Sequence, residues 1–255
     1  MIIKSSYLSH PGQVRQNNED FIHVDDDMGI YLLADGMGGH NAGEVASELA
    51  VKTAQTYLAE RLSLVNDHGI SDILSEAMKT AHEAVNAKAK TDMSLLGMGT
   101  TLVEVVVRNN KAFVCHAGDS RAYLYRDTLQ RLTRDHTMGD HLLENNILPR
   151  ERIPEKQWHM LTQAVGVGDP LVPDIKQIEL ATGDMLLLCS DGLTDMLTDT
   201  EVGAVIAGGG DASTPYPRQR GTSGNADLKN VTQGLVDAAN SKGGRDNISV
   251  VVVRV

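Results

Sequence analysis

Thr101-Leu102-Val103-Glu104-Val105-Val106-Val107-Arg108-Asn109-Asn110-Lys111-Ala112-Phe113-Val114-Cys115-His116-Ala117 is two apolar runs joined by a pair of asparagines. Runs this short and this rich in β-branched residues read as strands from Thr101 to Arg108 and from Lys111 to Ala117. Asparagine tolerates the left-handed backbone that a tight two-residue turn demands, so Asn109-Asn110 folds one run back on the other. The pair is an antiparallel hairpin, and the rest of the chain can be read outward from it.

Downstream, Ala122 to Tyr125, Leu129 to Thr133, Asp174 to Leu180, Asp184 to Cys189 and Asn247 to Val255 repeat the strand pattern. Upstream, Gly29 to Ala34 reads as a buried strand. Between these lie helical patterns. Asn41 and Glu44 have capping-box spacing and open a helix from Ala42 to about Leu62. Ile70, Ile73, Leu74, Ala77, Met78, Ala81, Ala84 and Val85 recur at the helical period. Thr198 and Glu201 cap a short helix to about Ala207, and a last helix runs from near Leu228 to Ser241, closed by Gly243-Gly244.

Hairpin-linked strands with helices gathered apart, rather than single strands and helices in alternation, predict an α+β fold of antiparallel sheets covered by helices. Neither a G-x-G-x-x-G nor a G-x-x-x-x-G-K-[ST] phosphate loop occurs. Two stretches break the pattern. Asp135 to about His159 is polar and interrupted by Pro149 and Pro154, and reads as a mobile excursion from the core. Gly208 to Asp227 is rich in Gly, Pro, Ser and Thr, and reads as a flexible surface loop.

The 255 residues are 41% hydrophobic, enough for one domain spanning 1–255 that buries roughly three quarters of its unfolded surface. A formal net charge of -11 without clustered Lys or Arg argues against a nucleic-acid footprint. The amino-terminal segment is too polar for a secretory signal, and no apolar run approaches the ~20 residues of a membrane span. A cytoplasmic monomer is expected. The two cysteines, Cys115 and Cys189, sit in apolar strand runs as inert thiols.

The chemistry lies in four aspartates at the ends of apolar runs: Asp20, Asp35, Asp191 and Asp246. Asp35 and Asp191 are followed directly by glycine, which leaves room for a ligand or a carbonyl to approach. Any one of them is an ordinary turn aspartate; together they form an all-oxygen set suited to a hard cation such as Mg2+ or Mn2+. Two such ions can activate water and offset phosphoryl charge, so no protein nucleophile is required. Arg15, five residues before Asp20, is placed to grip a phosphate. His116 reads as structural, Asp25-Asp26-Asp27 as a solvated turn, and Asp195 either as a support to the site or as a helix cap.

Arg15-Gln16-Asn17-Asn18-Glu19-Asp20, Ala34-Asp35-Gly36-Met37-Gly38-Gly39-His40, Gly97-Met98-Gly99-Thr100-Thr101, Ala117-Gly118-Asp119-Ser120-Arg121, Ser190-Asp191-Gly192-Leu193-Thr194-Asp195 and Gly244-Arg245-Asp246-Asn247 occur in order. They resemble the successive motifs of the metal-dependent protein phosphatases of type 2C, the PPM family, in their bacterial form. The resemblance spans nearly the whole chain. It implies a four-layer αββα sandwich and metal-dependent hydrolysis of phosphoserine and phosphothreonine in proteins, with an opposing kinase among the partners and signalling as the setting. The alternatives are a silent phosphoprotein-binding module on the same fold and a small-molecule phosphohydrolase.

The resemblance also implies roles. Asp35 would bridge two tightly bound Mn2+ or Mg2+ ions, with the Gly36 carbonyl on one and Asp191 and Asp246 on the other. Asp20 would orient water, with Glu19 close by, and Arg15 would hold the phosphate. Asp119 would hold a weaker third ion, and the segment at about 135–160 would be a flap beside the cleft. Animal members carry a histidine where this chain has Met37. His40 is the nearest substitute as a general acid, and capping the helix that follows is its other reading.

Overall fold

The computed structural model describes residues 2–38, 42–211 and 228–255. In chain order the elements are β1 (Lys4–His10), β2 (Asp20–Asp25), β3 (Ile30–Met37), α1 (Ala42–Arg61), α2 (Ile70–Thr91), β4 (Gly99–Thr100), β5 (Leu102–Arg108), β6 (Lys111–Ala117), β7 (Arg121–Arg126), β8 (Thr128–Arg131), α3 (Met138–Glu144), β9 (Asp174–Glu179), β10 (Met185–Cys189), α4 (Asp191–Thr194), α5 (Asp199–Ala207), α6 (Leu228–Ser241) and β11 (Ile248–Arg254).

The hairpin forms as its sequence requires. β5 and β6 pair antiparallel from Leu102 opposite Ala117 to Arg108 opposite Lys111. Asn109 and Asn110 take φ of 50° and 61°, the left-handed values of a turn whose twist matches the strands it joins.

Two antiparallel sheets result, one ordered β1-β11-β10-β7-β8 and the other β2-β3-β5-β6-β9, with β4 on β3. Alternation along the central strands explains the layers. In β11, Val251 and Val253 face the space between the sheets, where they meet Tyr31, Leu33, Val103 and Val105 of the second sheet. Val250 and Val252 face the opposite way, into a cluster with Leu197, Val202, Leu235 and Val236. A strand buried on both faces has to be apolar throughout, which is why Val250 to Val253 is an unbroken run. Each such valine contributes roughly 1.5–3 kcal/mol by leaving water.

The outer face of the second sheet is covered by α1 and α2. Ala46, Ala50 and Ala54 of α1 and Leu74, Met78 and Val85 of α2 close over Ile30, Leu32 and Phe113. The order of layers is therefore helix, sheet, sheet, helix. Small side chains on α1 let it lie close to the sheet, closest at its first turn. A Cβ on Gly36 would stand 2.0 Å from the carbonyl oxygen of Gly43, so neither residue can be larger without moving the helix.

Several details differ from the expectation. β1 carries a polar, half-exposed pattern and is fixed by pairing with β11 at the sheet edge, so its sequence shows little apolar alternation. The polar segment after Asp135 is not wholly irregular: it opens with α3, whose first turn is capped by the Thr137 hydroxyl accepting from Asp140 N at 3.1 Å. The expected Thr198–Glu201 capping box is present. Asn41 of the other expected box, and residues 212–227 of the expected surface loop, lie outside the described residues. Asp26 of the acidic triplet is not merely solvated, since it accepts hydrogen bonds from Tyr31 Oη at 2.9 Å and Ser5 N at 3.2 Å.

Candidate active site

The pairing of β2 with β3 sets Asp20 opposite Asp35. Asp35 is locked through its backbone: its N–H donates to Thr101 Oγ1 at 2.9 Å, and its carbonyl accepts from Thr101 N at 2.9 Å and Thr100 Oγ1 at 2.8 Å. The Thr101 hydroxyl also meets Ser120 Oγ at 2.7 Å. That links Asp35 to the turn between β6 and β7, where Asp119 sits buried. Asp191 follows β10 and begins α4, and Asp246 directly precedes Asn247 and β11. Asp191 is thus held by a helical turn, not by a loose loop after a strand.

These elements converge on a cavity of about 420 Å3 lined by Arg15, Glu19, Asp35, Gly36, Asp119, Asp191 and Asp246, together with Met37, Gly38, Thr101, His159, Leu161 and Asn247. Asp20 stands behind this lining, buried, and accepts from Ser190 Oγ at 2.9 Å. Asn247 stitches the acidic approach to β11: its Oδ1 accepts from Glu19 N at 2.8 Å and its Nδ2 donates to Asn17 O at 2.8 Å. Arg15 is half-exposed and its Nη2 donates to Asp246 Oδ2 at 2.6 Å. The sequence-predicted residues are therefore brought together, save His40, which lies outside the described residues.

So many carboxyls in one buried place cannot all ionise unaided. Two like unit charges 4 Å apart repel by about 4 kcal/mol in surroundings of intermediate polarity. Burial, reinforced by the carboxylates of Asp191 and Asp246, pushes Asp20 up to about 7. Burial and the neighbouring Asp195 and Asp246 push Asp191 up to about 6. Asp35 and Asp119 are raised well above the carboxylate range, mainly by burial and then by the acids around them. Asp20 Oδ1 and Asp191 Oδ1 are buried with no hydrogen-bond donor. Acids that repel one another, with unpaired oxygens buried at and behind the wall of one cavity, are the complement of a multivalent cation. The oxygen donor set fits Mg2+ or Mn2+.

Sequence reading missed the scaffold and one wall. Thr100, Thr101, Ser190 and Asn247 carry the supporting hydrogen bonds, and their signal was present: each adjoins or lies within a quoted motif. His159 and Leu161 line the cavity from the polar segment after Asp135, where no local pattern marks them. Asp195 is not the cap of α5, since Thr198 is. It instead lies 3.5 Å from His159 Nδ1 through Oδ2. His116 is structural as expected: it is buried, bonds Arg134 O through Nε2 at 2.6 Å, and stacks on His136 with ring centroids 4.7 Å apart.

Residues 10–229 match the family model described as protein phosphatase 2C. The serine/threonine phosphatase stp of Listeria welshimeri is 34% identical over 254 residues, covering 98% of this chain and 94% of that protein. The crystal structure of the Mycobacterium tuberculosis serine/threonine phosphatase PstP/Ppp superposes with a TM-score of 0.82 at 31% identity, covering 100% of this chain and 99% of the other. The catalytic domain of the serine/threonine protein phosphatase PstP, in complex with two manganese ions, gives a TM-score of 0.80 at 31% identity, covering 99% and 97%.

Proposed function

The chain belongs to the protein phosphatase 2C family, and from that premise we propose that it is a metal-dependent protein serine/threonine phosphatase acting on phosphoserine and phosphothreonine. The observation that carries this reading is the gathering of Glu19, Asp35, Asp119, Asp191 and Asp246 round one cavity, with Arg15 at its edge. A silent relative would have no reason to keep so costly a cluster of buried acids. Retention of Asp35, Asp191 and Asp246 together favours an active enzyme.

The cofactor reading is Mn2+ or Mg2+, with two tightly bound ions and a weaker third. Asp35 and the Gly36 carbonyl would serve the first pair with Asp191 and Asp246, Glu19 would stand near them, and Asp119 would serve the third. Bound ions of this kind polarise water and offset the charge of a phosphoryl group. The chain's own residues do the positioning. Asp20, held by Ser190, would orient the attacking water. Arg15, released from Asp246, would present its fork of N–H donors to two phosphate oxygens. His40 is retained as the proposed general acid.

The wall carrying His159 and Leu161 supports reading 135–160 as a flap on a single phosphatase domain. The partners would be phosphorylated proteins and a kinase that opposes the enzyme, in a bacterial signalling role, with the protein a cytoplasmic monomer. No helix among the described residues is long and apolar enough to cross a membrane.

The test is phosphate release from a phosphothreonine peptide by the full chain with added Mn2+, beside the same protein in excess chelator. Release with Mn2+ that disappears in chelator is expected, as is an Arg15→Ala variant whose KM rises about tenfold, the loss expected for one charge-assisted contact. Undiminished release after chelation would overturn the metal dependence.

A further inference from the structure

We propose that His159 is a metal ligand, its Nδ1 joining carboxylate oxygens of Asp191 and Asp195 to hold a divalent transition-metal ion at one side of the cavity. The inference rests on the reading that the neighbouring acids bind divalent ions. It adds a nitrogen donor, from a separate segment, to the weaker third ion that Asp119 serves, Asp191 and Asp195 being charged neighbours of Asp119.

Three observations carry it. One ligand atom from each of His159, Asp191 and Asp195 lies within 4.8 Å of the others. Ligands on an ion at ~2.1 Å stand roughly 3–3.5 Å apart, so a small side-chain rotation closes the set, and the half-exposed His159 has the freedom to make it. Asp191 and Asp195 are one helical turn apart, so both project from the same side of α4.

The second observation concerns the other ring nitrogen. Nδ1 faces Asp195 Oδ2 at 3.5 Å, while Nε2 faces Glu155 Oε1 at 3.9 Å. A histidine ligand characteristically turns its far N–H to a carboxylate, which fixes the ring and strengthens the ligating nitrogen. Glu155, four residues earlier on the same segment, stands 3.9 Å away and can take that place after a small side-chain rotation.

The third is Asp191 Oδ1, buried and without a donor. An ion pair between His159 and Asp195 alone would join two partly exposed side chains, worth little in free energy, and would leave that oxygen unmatched. An ion between the three groups gives the Asp191 carboxylate a cationic partner. Asp191 has two oxygens, so serving this ion does not remove it from the core pair.

Imidazole suits Mn2+ less than it suits Zn2+ or Co2+, but it suits Mg2+ least, since Mg2+ holds to oxygen and water. The site should therefore discriminate against Mg2+. Because its ligands come from α4 and from the 135–160 segment, occupancy would also tie that segment to the cavity.

The experiment is a Mn2+ titration of the chelated full-length protein, read by calorimetry and by pulsed electron paramagnetic resonance for directly coordinated 14N. Wild type should show imidazole nitrogen coupling once the weakest ion is loaded. His159→Ala should lose that coupling and about tenfold in affinity for the weakest ion, keep the tighter ions, and melt at the same temperature. With Mg2+ the same substitution should change the weakest step less than about twofold. Tight Mn2+ binding without any His159-dependent nitrogen coupling would overturn the inference alone. Absence of tight Mn2+ binding would overturn both the proposed function and this inference.

Discussion

Among the described residues, buried carboxylate oxygens without a hydrogen-bond partner occur in two regions, and their surroundings differ. Around the cavity, Asp20, Asp35, Asp119 and Asp191 are raised by burial and by one another. Each is held by a turn, a hydroxyl or a backbone bond. In the helix-facing core, Glu104 stands on β5 between Leu32 and Cys115, both members of the apolar cluster under α1 and α2. It is 0% exposed, and neither carboxylate oxygen has a hydrogen-bond partner. Burial alone raises it. A perturbed acid is thus not in itself a mark of function. What separates the two regions is convergence: several acids, supported and aimed at one space, against a single acid set between apolar side chains.

The sharpest way to break this comparison is to neutralise one acid in each region. Asp35→Asn should cut phosphopeptide turnover by at least about a hundredfold, the scale of losing one electrostatic element of a site. Calorimetry should show at least one Mn2+ lost. Glu104→Gln should leave kcat within about twofold. Wild-type turnover in Asp35→Asn, or a collapse of turnover in stably folded Glu104→Gln, would reverse the assignment of the two regions.

A smaller effect follows from protons competing with metal at the cavity. Asp20 at about 7 and Asp191 at about 6 must give up protons before a cation is fully held. Mn2+ affinity should fall as pH drops through that window, by up to about tenfold per unit for each proton displaced. Binding heats in buffers of different ionisation enthalpy should reveal the released protons. A flat affinity between pH 5.5 and 7.5 would mean these acids are already ionised in the metal-free protein.

The two regions also differ in how legible they were. The β5–β6 hairpin, α2, the Thr198 cap and the buried run of β11 follow from local rules of turn chemistry and periodicity. The acids of the cavity follow from motif order. What escaped has non-local causes. β1 is a strand because β11 offers it an edge to pair with, and α4 is a single turn too short for any periodic signal. His159 reaches Asp195 only because the segment after Asp135 folds back on itself, Thr137 pairing with Leu161. Glu104 lay inside the quoted hairpin as one polar letter in an apolar run. Its spacing puts it on the helix-facing side, but nothing local says that no partner awaits it there.

That unpaired acid gives the smallest effect and the cleanest control. Burial holds its folded-state pKa well above the ordinary glutamate value of 4.5. A group raised on folding contributes its full stability below the unfolded pKa, and loses it as pH rises toward the folded value. From about pH 4.5 upward, the unfolded chain releases this proton while the folded chain retains it, at roughly 1.4 kcal/mol per unit. Glu104→Gln removes the proton but keeps the shape and the unpaired polarity. The variant should therefore match wild type near pH 4.5 and melt higher at pH 7.5. A gain of roughly 1–3 kcal/mol corresponds to ~3–8 °C in a chain of this size. Scanning calorimetry of the metal-free proteins at the two pH values measures it. An equal difference at both would show that polarity, not ionisation, sets the cost. No difference at either would show that Glu104 finds a partner in solution, and the contrast between the two regions would lose its simplest case.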